Sequence, residues 1–237
     1  MLGRFIISII LGYLIGAIPF GMIAARLESG IDVTQYGSGK TGTTNVLRTS
    51  GKKSAGLVLV LDIAKGTGAV LLARWLLGVN VMPANWQIIP ACGYISSGTL
   101  VSLGVFRWTI YGVQAIVAMA AVAGHNWSPY IKFRGGRGVA TFFGGMIPMC
   151  WIISVVCGIG ILMGITAITR YVSLGSILSV TIAALAMIIL VIMGYQPVES
   201  LVYALAGMTL ILIQHRDNIM RLRTGTERRV GTKVEQK

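Results

Sequence analysis

Three short stretches of the sequence combine glycines with cations, and the stretch at 132–141 is the most concentrated. It reads Lys-Phe-Arg-Gly-Gly-Arg-Gly-Val-Ala-Thr. Closely spaced glycines allow backbone N–H groups to approach an anion without obstruction by Cβ atoms, and the three cations add positive charge. This combination is typical of phosphate binding. The stretches 36–53 and 215–223 contain similar residue types.

The amino-acid composition indicates which class of protein carries these stretches. The chain has 237 residues, of which 55% are apolar and 11% are charged, and its mean hydropathy is +0.79. Soluble domains carry roughly 25% charged residues, so the composition predicts an integral membrane protein. The net charge of +13 favours anionic lipid or anionic substrates. Nucleic acid is not expected as a partner, because the cations lie on short loops between apolar segments and not on a soluble module.

Apolar runs predict an all-α protein with about seven transmembrane helices. The runs are 5–25, 57–77, 109–123, 139–149, 151–168, 174–193 and 201–213. With the N-terminus outside and the C-terminus cytoplasmic, most of the 20 Lys and Arg residues fall inside, as the positive-inside rule requires. The segment 88–106 contains proline, glycines and serines, and is predicted to be re-entrant or interfacial. Residues 1–223 form one membrane domain, and 224–237 are expected to be a mobile basic cytoplasmic tail near anionic lipid.

Several residue types with possible chemistry are better explained as structural. Cys92, Cys150 and Cys157 lie in apolar segments without a Cys-x-x-Cys spacing, so they are predicted to be buried small hydrophobic residues. Two histidines do not supply a zinc site of ordinary spacing. Asp62 and Lys65 interrupt the second apolar run at spacing i, i+3, which predicts an ion pair on one helix face. A purely structural pair and a supporting role at the site remain equally open.

The segment Gly-Ser-Gly-Lys-Thr at 37–41 resembles the end of a nucleotide-binding P-loop. That interpretation fails because Thr34 stands where the motif requires glycine and no strand can precede a loop that follows a membrane helix. The local chemistry is still informative. Glycine N–H groups, the hydroxyl of Ser38 and the charges of Lys40 and Arg48 all suit a phosphate group.

Longer segments resemble a known family. The first block contains Gly-Ser-Gly at 37–39, Gly-Thr-Thr-Asn-Val-Leu-Arg at 42–48, Gly-Lys-Lys at 51–53, Leu-Asp at 61–62 and Lys-Gly at 65–66. The second contains Gly-His-Asn-Trp-Ser-Pro at 124–129 and Phe-Arg-Gly-Gly-Arg-Gly-Val-Ala-Thr at 133–141. The third contains His-Arg-Asp-Asn-Ile-Met-Arg-Leu at 215–222 with Gly225 and Glu227 beyond, and Tyr-Val-Ser-Leu-Gly-Ser occurs at 171–176. In this order, over nearly the whole chain, they resemble the bacterial acyl-phosphate:glycerol-3-phosphate acyltransferases of the PlsY type.

The sequence departs from the family pattern in three places. Lys40 stands where the family usually has asparagine, which could alter how that loop contacts substrate. Arg134 and Arg137 replace the usual lysines; arginine keeps the charge and gains a planar fork of donors, so phosphate binding should survive. The interval between Lys65 and His125 is longer than the resemblance predicts.

The resemblance implies transfer of a fatty acyl group from acyl phosphate to the 1-hydroxyl of sn-glycerol 3-phosphate, in the bacterial cytoplasmic membrane and with the active site on the cytoplasmic face. Acyl phosphate, glycerol 3-phosphate and membrane lipid are the expected partners. No cofactor, metal or obligate protein partner is expected. The implied catalytic residues are His215, Asn218 and Arg137. The implied phosphate-binding residues are Ser38, Gly39, Asn45, Arg48, Gly135, Gly136, Gly138 and Ser176.

The proton acceptor of this reaction is left open by the sequence. A His-x-x-x-x-Asp acyltransferase motif is absent, because Tyr130 and Met220 stand at the Asp positions. The resemblance implies that a substrate phosphate takes the hydroxyl proton, and His215 as general base is the alternative. Three structural alternatives also remain: His125 as a hydrogen-bonded interface residue, Asn45 as a turn cap and Ser176 as a helix cap.

Two other classes of function compete with the enzyme. A transporter of anions or phosphate esters predicts pathway charges deep inside several helices, whereas the deep charges here are essentially Asp62, Lys65 and, at a depth that the sequence does not fix, Arg74. A non-catalytic membrane scaffold predicts a graded loss of lipid binding as any cation is removed. An enzyme predicts a sharp loss at Arg48, Arg137 or His215.

Overall fold

A computed structural model of the chain describes residues 2–78 and 107–231, which are all-helical apart from turns and loops. The predicted re-entrant segment 88–106 lies outside the described residues. Short 3₁₀ turns occur at Val33–Gln35 and Pro129–Ile131, and a π-helical stretch occurs at Val156–Ile161. The α-helices are α1 (Leu2–Ala17), α2 (Phe20–Ser29), α3 (Thr43–Thr49), α4 (Gly51–Leu76), α5 (Arg107–Asn126), α6 (Val139–Val155), α7 (Leu162–Thr169), α8 (Val172–Ile192), α9 (Val198–Gln214) and α10 (Arg216–Arg223).

Four helical stretches in the described part are long and apolar enough to cross a membrane: Leu2–Ser29, Gly51–Leu76, Val139–Thr169 and Val172–Ile192. A fifth results if α9 and α10, which meet at a bend of 61°, are taken as one broken span. The predicted class, an all-α membrane protein, agrees with this architecture.

Within Val139–Thr169 the chain reverses direction, because Ser154 Oγ donates to the Phe143 carbonyl over 2.7 Å although the two residues are 11 apart in the sequence, which would place them about 16 Å apart along a straight helix. The segments predicted at 139–149 and 151–168 are therefore two separate helical segments that pack against each other, and their crossing of the membrane stays a prediction. Pro148 and the non-helical Cys150 mark the break between them.

The first apolar run is broken where α1 ends at Ala17 and Pro19 precedes α2. Helix ends leave carbonyl groups without intrahelical partners, which is costly away from water. Two side chains from distant segments satisfy them here: Ser128 Oγ donates to the Ala17 carbonyl over 2.6 Å, and Lys65 Nζ donates to the Ile18 carbonyl over 3.2 Å. The corner between α1 and α2 is therefore fixed by α4 and by the segment after α5.

Helices α4 and α6 pack with their backbones in direct contact. A Cβ atom on Gly66 would lie 2.2 Å from the Thr141 carbonyl oxygen, and one on Gly144 would lie 2.1 Å from the Ile63 carbonyl oxygen. Thr67 Oγ1 adds a hydrogen bond of 2.8 Å to the Gly144 carbonyl. Because α6 begins directly after the cationic loop at 132–138, this close contact also fixes where that loop ends.

The main apolar core joins α6 to α8 and α9. The ring of Phe142 stacks on that of Tyr203 with 5.1 Å between the centroids, and the Tyr203 hydroxyl donates to the Phe142 carbonyl over 2.8 Å. Met146, Met187 and Ile211 are fully buried around this pair. Since His215 follows α9 directly, the core sets the position of His215 relative to the loop that precedes α6.

The segment after α10 does not extend away from the protein as predicted. Residues 224–231, called the C-terminal strap below, fold back onto the turn between α7 and α8. The Val230 N–H donates to the Arg170 carbonyl over 2.8 Å, and Arg170 Nη2 donates to the Val230 carbonyl over 3.1 Å. Arg229 Nε donates to the Tyr171 hydroxyl over 3.2 Å. The basic composition suggested a free tail, but these hydrogen bonds order its first eight residues.

Candidate functional site

Asn45 organises the glycine-rich loop that precedes α3. Its side-chain amide donates to the carbonyl oxygens of Val33, Tyr36 and Lys40 at 3.0, 3.1 and 2.9 Å. Its Oδ1 atom accepts the Ser38 N–H at 3.1 Å. Asn45 is buried, and its amide binds the protein's own backbone. The structure thus places this residue beneath the loop, where it shapes the turn that presents Ser38 and Gly39.

The turn itself requires the glycines. Gly37 and Gly39 have φ angles of +56° and +67°, in the left-handed region that residues with a Cβ atom rarely adopt. Ser38 lies between them and accepts the Lys40 N–H through its Oγ atom at 3.4 Å. The structure shows a tight turn here, and the contribution of this segment to a phosphate site stays a prediction.

The second glycine-rich loop packs against the end of α5. The Gly136 N–H donates to the His125 carbonyl over 3.0 Å, and a Cβ atom on Gly136 would lie 2.0 Å from His125 Nε2. A Cβ atom on Gly135 would lie 2.0 Å from the same carbonyl oxygen. Both glycines therefore allow close packing, and the Gly136 N–H is used inside the protein instead of facing an anion as expected.

Gly138 joins this loop to α6. Its φ angle is +82°, and it occupies the N-cap position of the helix. The first N–H groups of a helix have no intrahelical acceptors and carry partial positive charge. They add to the positive potential beside Arg137, and the role of Gly138 in phosphate binding stays a prediction.

Arg137 is the central cation of the site. Its Nε atom is buried and has no hydrogen-bond partner within the described residues. Burial, together with the nearby cations Arg221 and Arg48, lowers the pKa of Arg137 to about 10, against the opposing effect of Glu227 and Asp217. The group stays positively charged at neutral pH. A buried N–H donor of this kind is suited to an anionic acceptor.

Arg48 lies close enough to Arg137 to affect its pKa, so the structure brings these two predicted residues together. Burial is the largest cause of a lowered pKa at Arg48, followed by the repulsion of Arg228. Arg48 Nη2 donates to the Arg228 carbonyl over 3.4 Å, while its Nε atom is buried without a partner among the residues that the structure covers. Two adjacent guanidinium groups thus each retain an unused buried donor.

Lys40, which departs from the family pattern, reaches the same region. Its pKa is lowered by burial and then by the repulsion of Arg137, whereas Asp217 acts in the opposite direction. No carboxylate of the described chain lies within ion-pair distance of Lys40. The loop that Asn45 holds therefore contributes a further cation beside Arg137.

His215 occupies the bend between α9 and α10. The ring is buried, and Nδ1 lies 2.8 Å from the Ile211 carbonyl oxygen. A carbonyl oxygen can only accept, so Nδ1 carries the hydrogen and Nε2 is left with its lone pair. Burial and the charge of Arg137 lower the pKa of His215 to about 4. The imidazole is therefore neutral at physiological pH and can accept a hydrogen bond through Nε2.

Asn218 is held by a carboxylate that the sequence analysis assigned no role. Its Nδ2 atom donates to Glu227 Oε1 over 2.8 Å, and the same oxygen accepts Ser173 Oγ at 3.0 Å. Arg221 Nε donates to Glu227 Oε2 over 2.8 Å. Asn218 Oδ1 is buried and has no partner in this part of the chain. The sequence signal for Glu227 was its place in the third block of the family resemblance, which implied no role for its side chain.

Ser176 lies inside α8 and is buried. Helix α8 begins at Val172, with Tyr171 at the N-cap position, so the alternative that Ser176 caps the helix is wrong. Ser173, which bonds Glu227, lies three residues earlier on the same helix face. The structure therefore places Ser176 one turn beyond the Glu227 contact.

A buried cluster of Asp62, Lys65 and His125 lies directly behind the second glycine loop. The predicted ion pair between Asp62 and Lys65 is confirmed, with 2.9 Å between Oδ1 and Nζ. The sequence could not place His125 beside this pair. No group of three or more His, Cys, Asp or Glu residues is arranged to hold a metal ion in the ranges 2–78 and 107–231.

Comparison with known proteins identifies the family. The model of the family described as "Glycerol-3-phosphate acyltransferase" matches residues 6–225. The chain is 40% identical to "Glycerol-3-phosphate acyltransferase 3" of Dehalococcoides mccartyi over 233 residues, which cover 98% of this chain and 99% of the relative. It is 35% identical to "Glycerol-3-phosphate acyltransferase" of Nostoc sp. over 227 residues, which cover 95% of this chain and 92% of the relative.

Two solved structures are also similar. Both are crystal structures of PlsY (YgiH), described as an integral membrane glycerol 3-phosphate acyltransferase, one in the glycerol 3-phosphate form and one in the lysophosphatidic acid form. The TM-scores are 0.75 and 0.73, with 33% identity and 96% of each chain covered. Together, these matches extend over nearly the whole sequence. The chain belongs to the glycerol-3-phosphate acyltransferase family of integral membrane proteins.

Proposed function

We propose that this protein transfers a fatty acyl group from acyl phosphate to the 1-hydroxyl of sn-glycerol 3-phosphate, giving 1-acyl-sn-glycerol 3-phosphate and inorganic phosphate. This is the first acylation step of phospholipid synthesis. Membership of the family supports the reaction class, and the related crystal structures are described as forms with glycerol 3-phosphate and with lysophosphatidic acid. The acyl-phosphate donor is part of the proposal.

The observation that carries the proposal is the pair of buried, unused Nε donors on the neighbouring residues Arg48 and Arg137. Lys40 adds a third cation near Arg137, whereas the nearby Glu227 already accepts hydrogen bonds from Arg221 and Asn218. This excess of positive charge fits two phosphate-bearing substrates better than one. The guanidinium groups can form charge-assisted hydrogen bonds with phosphoryl oxygens.

The proposed chemistry requires little beyond alignment and charge stabilisation, because acyl phosphate is already an activated mixed anhydride. The glycerol hydroxyl oxygen attacks the acyl carbon, the bond between that carbon and the phosphate oxygen breaks, and phosphate leaves with the electron pair. Arg48 and Arg137 stabilise the charge on the departing phosphate. His215 Nε2 and Asn218 Oδ1 accept hydrogen bonds from the glycerol hydroxyls and orient them.

The hydroxyl proton passes to a substrate phosphate in this scheme. A side chain whose pKa is lowered to about 4 is a weak base at neutral pH, whereas phosphate monoesters have a second pKa of about 6. This difference favours the phosphate over His215 as proton acceptor. His215 then acts through its fixed, neutral ring.

The protein is proposed to lie in the bacterial cytoplasmic membrane with the N-terminus outside and about seven crossings. The site then faces the cytoplasm, where glycerol 3-phosphate is soluble, while apolar helix surfaces accommodate the acyl chain. The common location of the cationic loops 36–53 and 132–138 supports this orientation, because positive loops remain on the cytoplasmic side.

The direct test combines purified protein with acyl phosphate and labelled glycerol 3-phosphate and measures the labelled monoacyl product. Arg137→Ala and His215→Ala should each lower kcat/KM by about a hundredfold or more. Arg134→Ala is the matched control, because Arg134 is exposed in the same loop, and it should change kcat/KM less than about threefold. Product formation that is unaffected in the first two variants would remove these residues from the site. Absence of product with the wild-type protein would contradict the proposed function.

A further inference from the structure

The cluster of Asp62, Lys65 and His125 contains three ionisable side chains that the proposed reaction does not use. All three are buried. Lys65 Nζ lies 2.9 Å from Asp62 Oδ1, 3.2 Å from the Ile18 carbonyl oxygen and 2.7 Å from His125 Nδ1. The cluster therefore connects α4 with the corner between α1 and α2 and with the end of α5.

The contacts of Lys65 determine which ring nitrogen of His125 carries hydrogen. An ammonium group has three N–H donors and no acceptor, and three acceptors surround it here. The other possible partner of Nδ1, Asp62 Oδ1, lies 3.6 Å away, which is too long for a hydrogen bond. The contact of 2.7 Å with the Lys65 ammonium group therefore favours Nδ1 as the acceptor, because two donors cannot share it. In the neutral imidazole the hydrogen is then on Nε2.

The Nε2 edge of His125 is directed at the second glycine loop. Gly136 leaves space for it, since a Cβ atom there would lie 2.0 Å from Nε2. The backbone of His125 also contacts this residue, because its carbonyl accepts the Gly136 N–H at 3.0 Å. The ring of His125 thus lies against Gly136, its carbonyl accepts the Gly136 N–H, and Arg137 follows immediately in the chain.

We propose that Lys65 is a positioning residue for the phosphate site: by holding His125 in the Nε2–H form, it fixes Gly136 and thereby Arg137. The Nε2–H form turns the positive end of the ring dipole towards the loop, whereas the other form would turn a lone pair towards it. Asp62 balances the charge of Lys65 so that the cation can remain buried. The functional part of this inference rests on the acyl transfer proposed above.

A spectroscopic test addresses the ring directly and needs no activity. The sequence has two histidines, so labelling with ¹⁵N-histidine gives two rings, and His215→Gln assigns the remaining signals to His125. At neutral pH, His125 should show hydrogen on Nε2 and His215 should show it on Nδ1. In the double variant Asp62→Asn/Lys65→Met, which removes both charges, His125 should become a mixture of the two forms. Hydrogen on Nδ1 of His125 in the wild type, or an unchanged spectrum in the double variant, would overturn the proposal.

A kinetic test asks whether Lys65 acts through Arg137. The double variant Asp62→Asn/Lys65→Met should lower kcat/KM about tenfold in the wild-type background, and by less than about threefold when added to Arg137→Ala. If the decreases in kcat/KM caused by the double variant and by Arg137→Ala multiply in full, the cluster does not act through Arg137 and affects activity only through the stability of the protein. The melting temperature of every variant is measured alongside.

Arg74→Met is the matched control for this cycle. Arg74 is also a partly buried cation of α4, but it lies in the last turn, where Nη2 donates to Gln114 Oε1 and to the Pro148 carbonyl over 2.7 Å each. Its removal should lower the melting temperature, and any loss of activity should multiply with that of Arg137→Ala. If the wild-type protein forms no product, the proposed function fails, while the ¹⁵N spectra still decide the form of His125.

Discussion

Asn218 donates its side-chain N–H to Glu227 over 2.8 Å, and this contact places the C-terminal strap within the candidate site. The same carboxylate accepts Ser173 of α8 and Arg221 of α10. One acidic side chain thus aligns two helices and the strap. Because Asn218 Nδ2 is held in this way, its Oδ1 atom is oriented independently of any ligand.

Replacing Glu227 should therefore affect both stability and activity. Glu227→Ala leaves the buried residues Asn218 and Ser173 and the partly exposed Arg221 without their acceptor, which should reduce the free energy of unfolding by about 2–4 kcal/mol. Glu227→Gln keeps the shape but loses the charge, and should have an intermediate effect. Thermal unfolding in detergent and the acyl transfer assay measure the two quantities. Glu28→Ala, at an exposed carboxylate, is the control; an equal effect of Glu28→Ala and Glu227→Ala would contradict this explanation.

The lowered pKa of His215 gives a stability change with a defined sign. The pKa falls from 6.5 to about 4 in the folded protein, so the unfolded chain binds the proton more tightly. The contribution of neutral His215 to the free energy of unfolding is complete above pH 6.5. It decreases as the pH falls below 6.5 and is lost as the pH falls through about 4. The difference corresponds to roughly 3 kcal/mol. Unfolding measured between pH 7 and pH 4 should show a shallower decrease for His215→Gln than for the wild type.

The pH dependence of the rate distinguishes the two possible proton acceptors, a substrate phosphate and His215. If a substrate phosphate takes the proton, the pH profile of kcat should show the same apparent pKa on its acidic side in His215→Gln as in the wild type, even though the rate is lower. A limb between pH 6 and 7 that disappears in this variant would instead support His215 as the general base. Rates should be compared at saturating substrate, since binding also depends on phosphate ionisation.

Asn45 should be important because of the loop that it holds. Asn45→Ala removes a donor group that reaches three carbonyl oxygens and the acceptor for the Ser38 N–H. We expect a loss of about 1–3 kcal/mol in unfolding free energy, with a raised KM. Asn45→Asp should be at least as harmful, because a carboxylate oxygen would face those carbonyl oxygens. Full activity of Asn45→Asp would show that the carbonyl contacts are unimportant.

Lys40 should strengthen substrate binding through its charge. Lys40→Asn removes one of the cations near Arg137, and KM should rise about three- to tenfold with little change in kcat. Raising the salt concentration should increase KM more steeply for the wild type than for this variant, since part of the attraction is screened. Lys40→Arg should behave like the wild type. Identical salt dependence in all three proteins would exclude a role for this charge.

Local sequence features predicted the parts of the site that depend on chain neighbours. The turn at Gly37 and Gly39, the glycine loop before α6 and the ion pair of Asp62 with Lys65 all follow from residue types at short spacing. The contact of His125 with Lys65 could not be predicted, since 60 residues separate them and neither pattern indicates the other.

The C-terminal strap and the contacts of Asn45 could not be predicted from composition, because they depend on contacts between residues distant in the sequence. A basic stretch predicted a free tail, but a single buried carboxylate, Glu227, and two backbone hydrogen bonds with Arg170 order the strap. Asn45 carried the expected residue type for ligand binding, yet the surrounding carbonyl groups occupy its amide.

The strap also has a practical consequence for work with the purified protein. Any affinity tag or fusion partner attached shortly after Gly231 lies next to the segment whose hydrogen bonds reach Arg48, Arg170 and Tyr171. A bulky attachment there competes with the docking of the strap. Reporters and purification handles are therefore better carried at the opposite terminus.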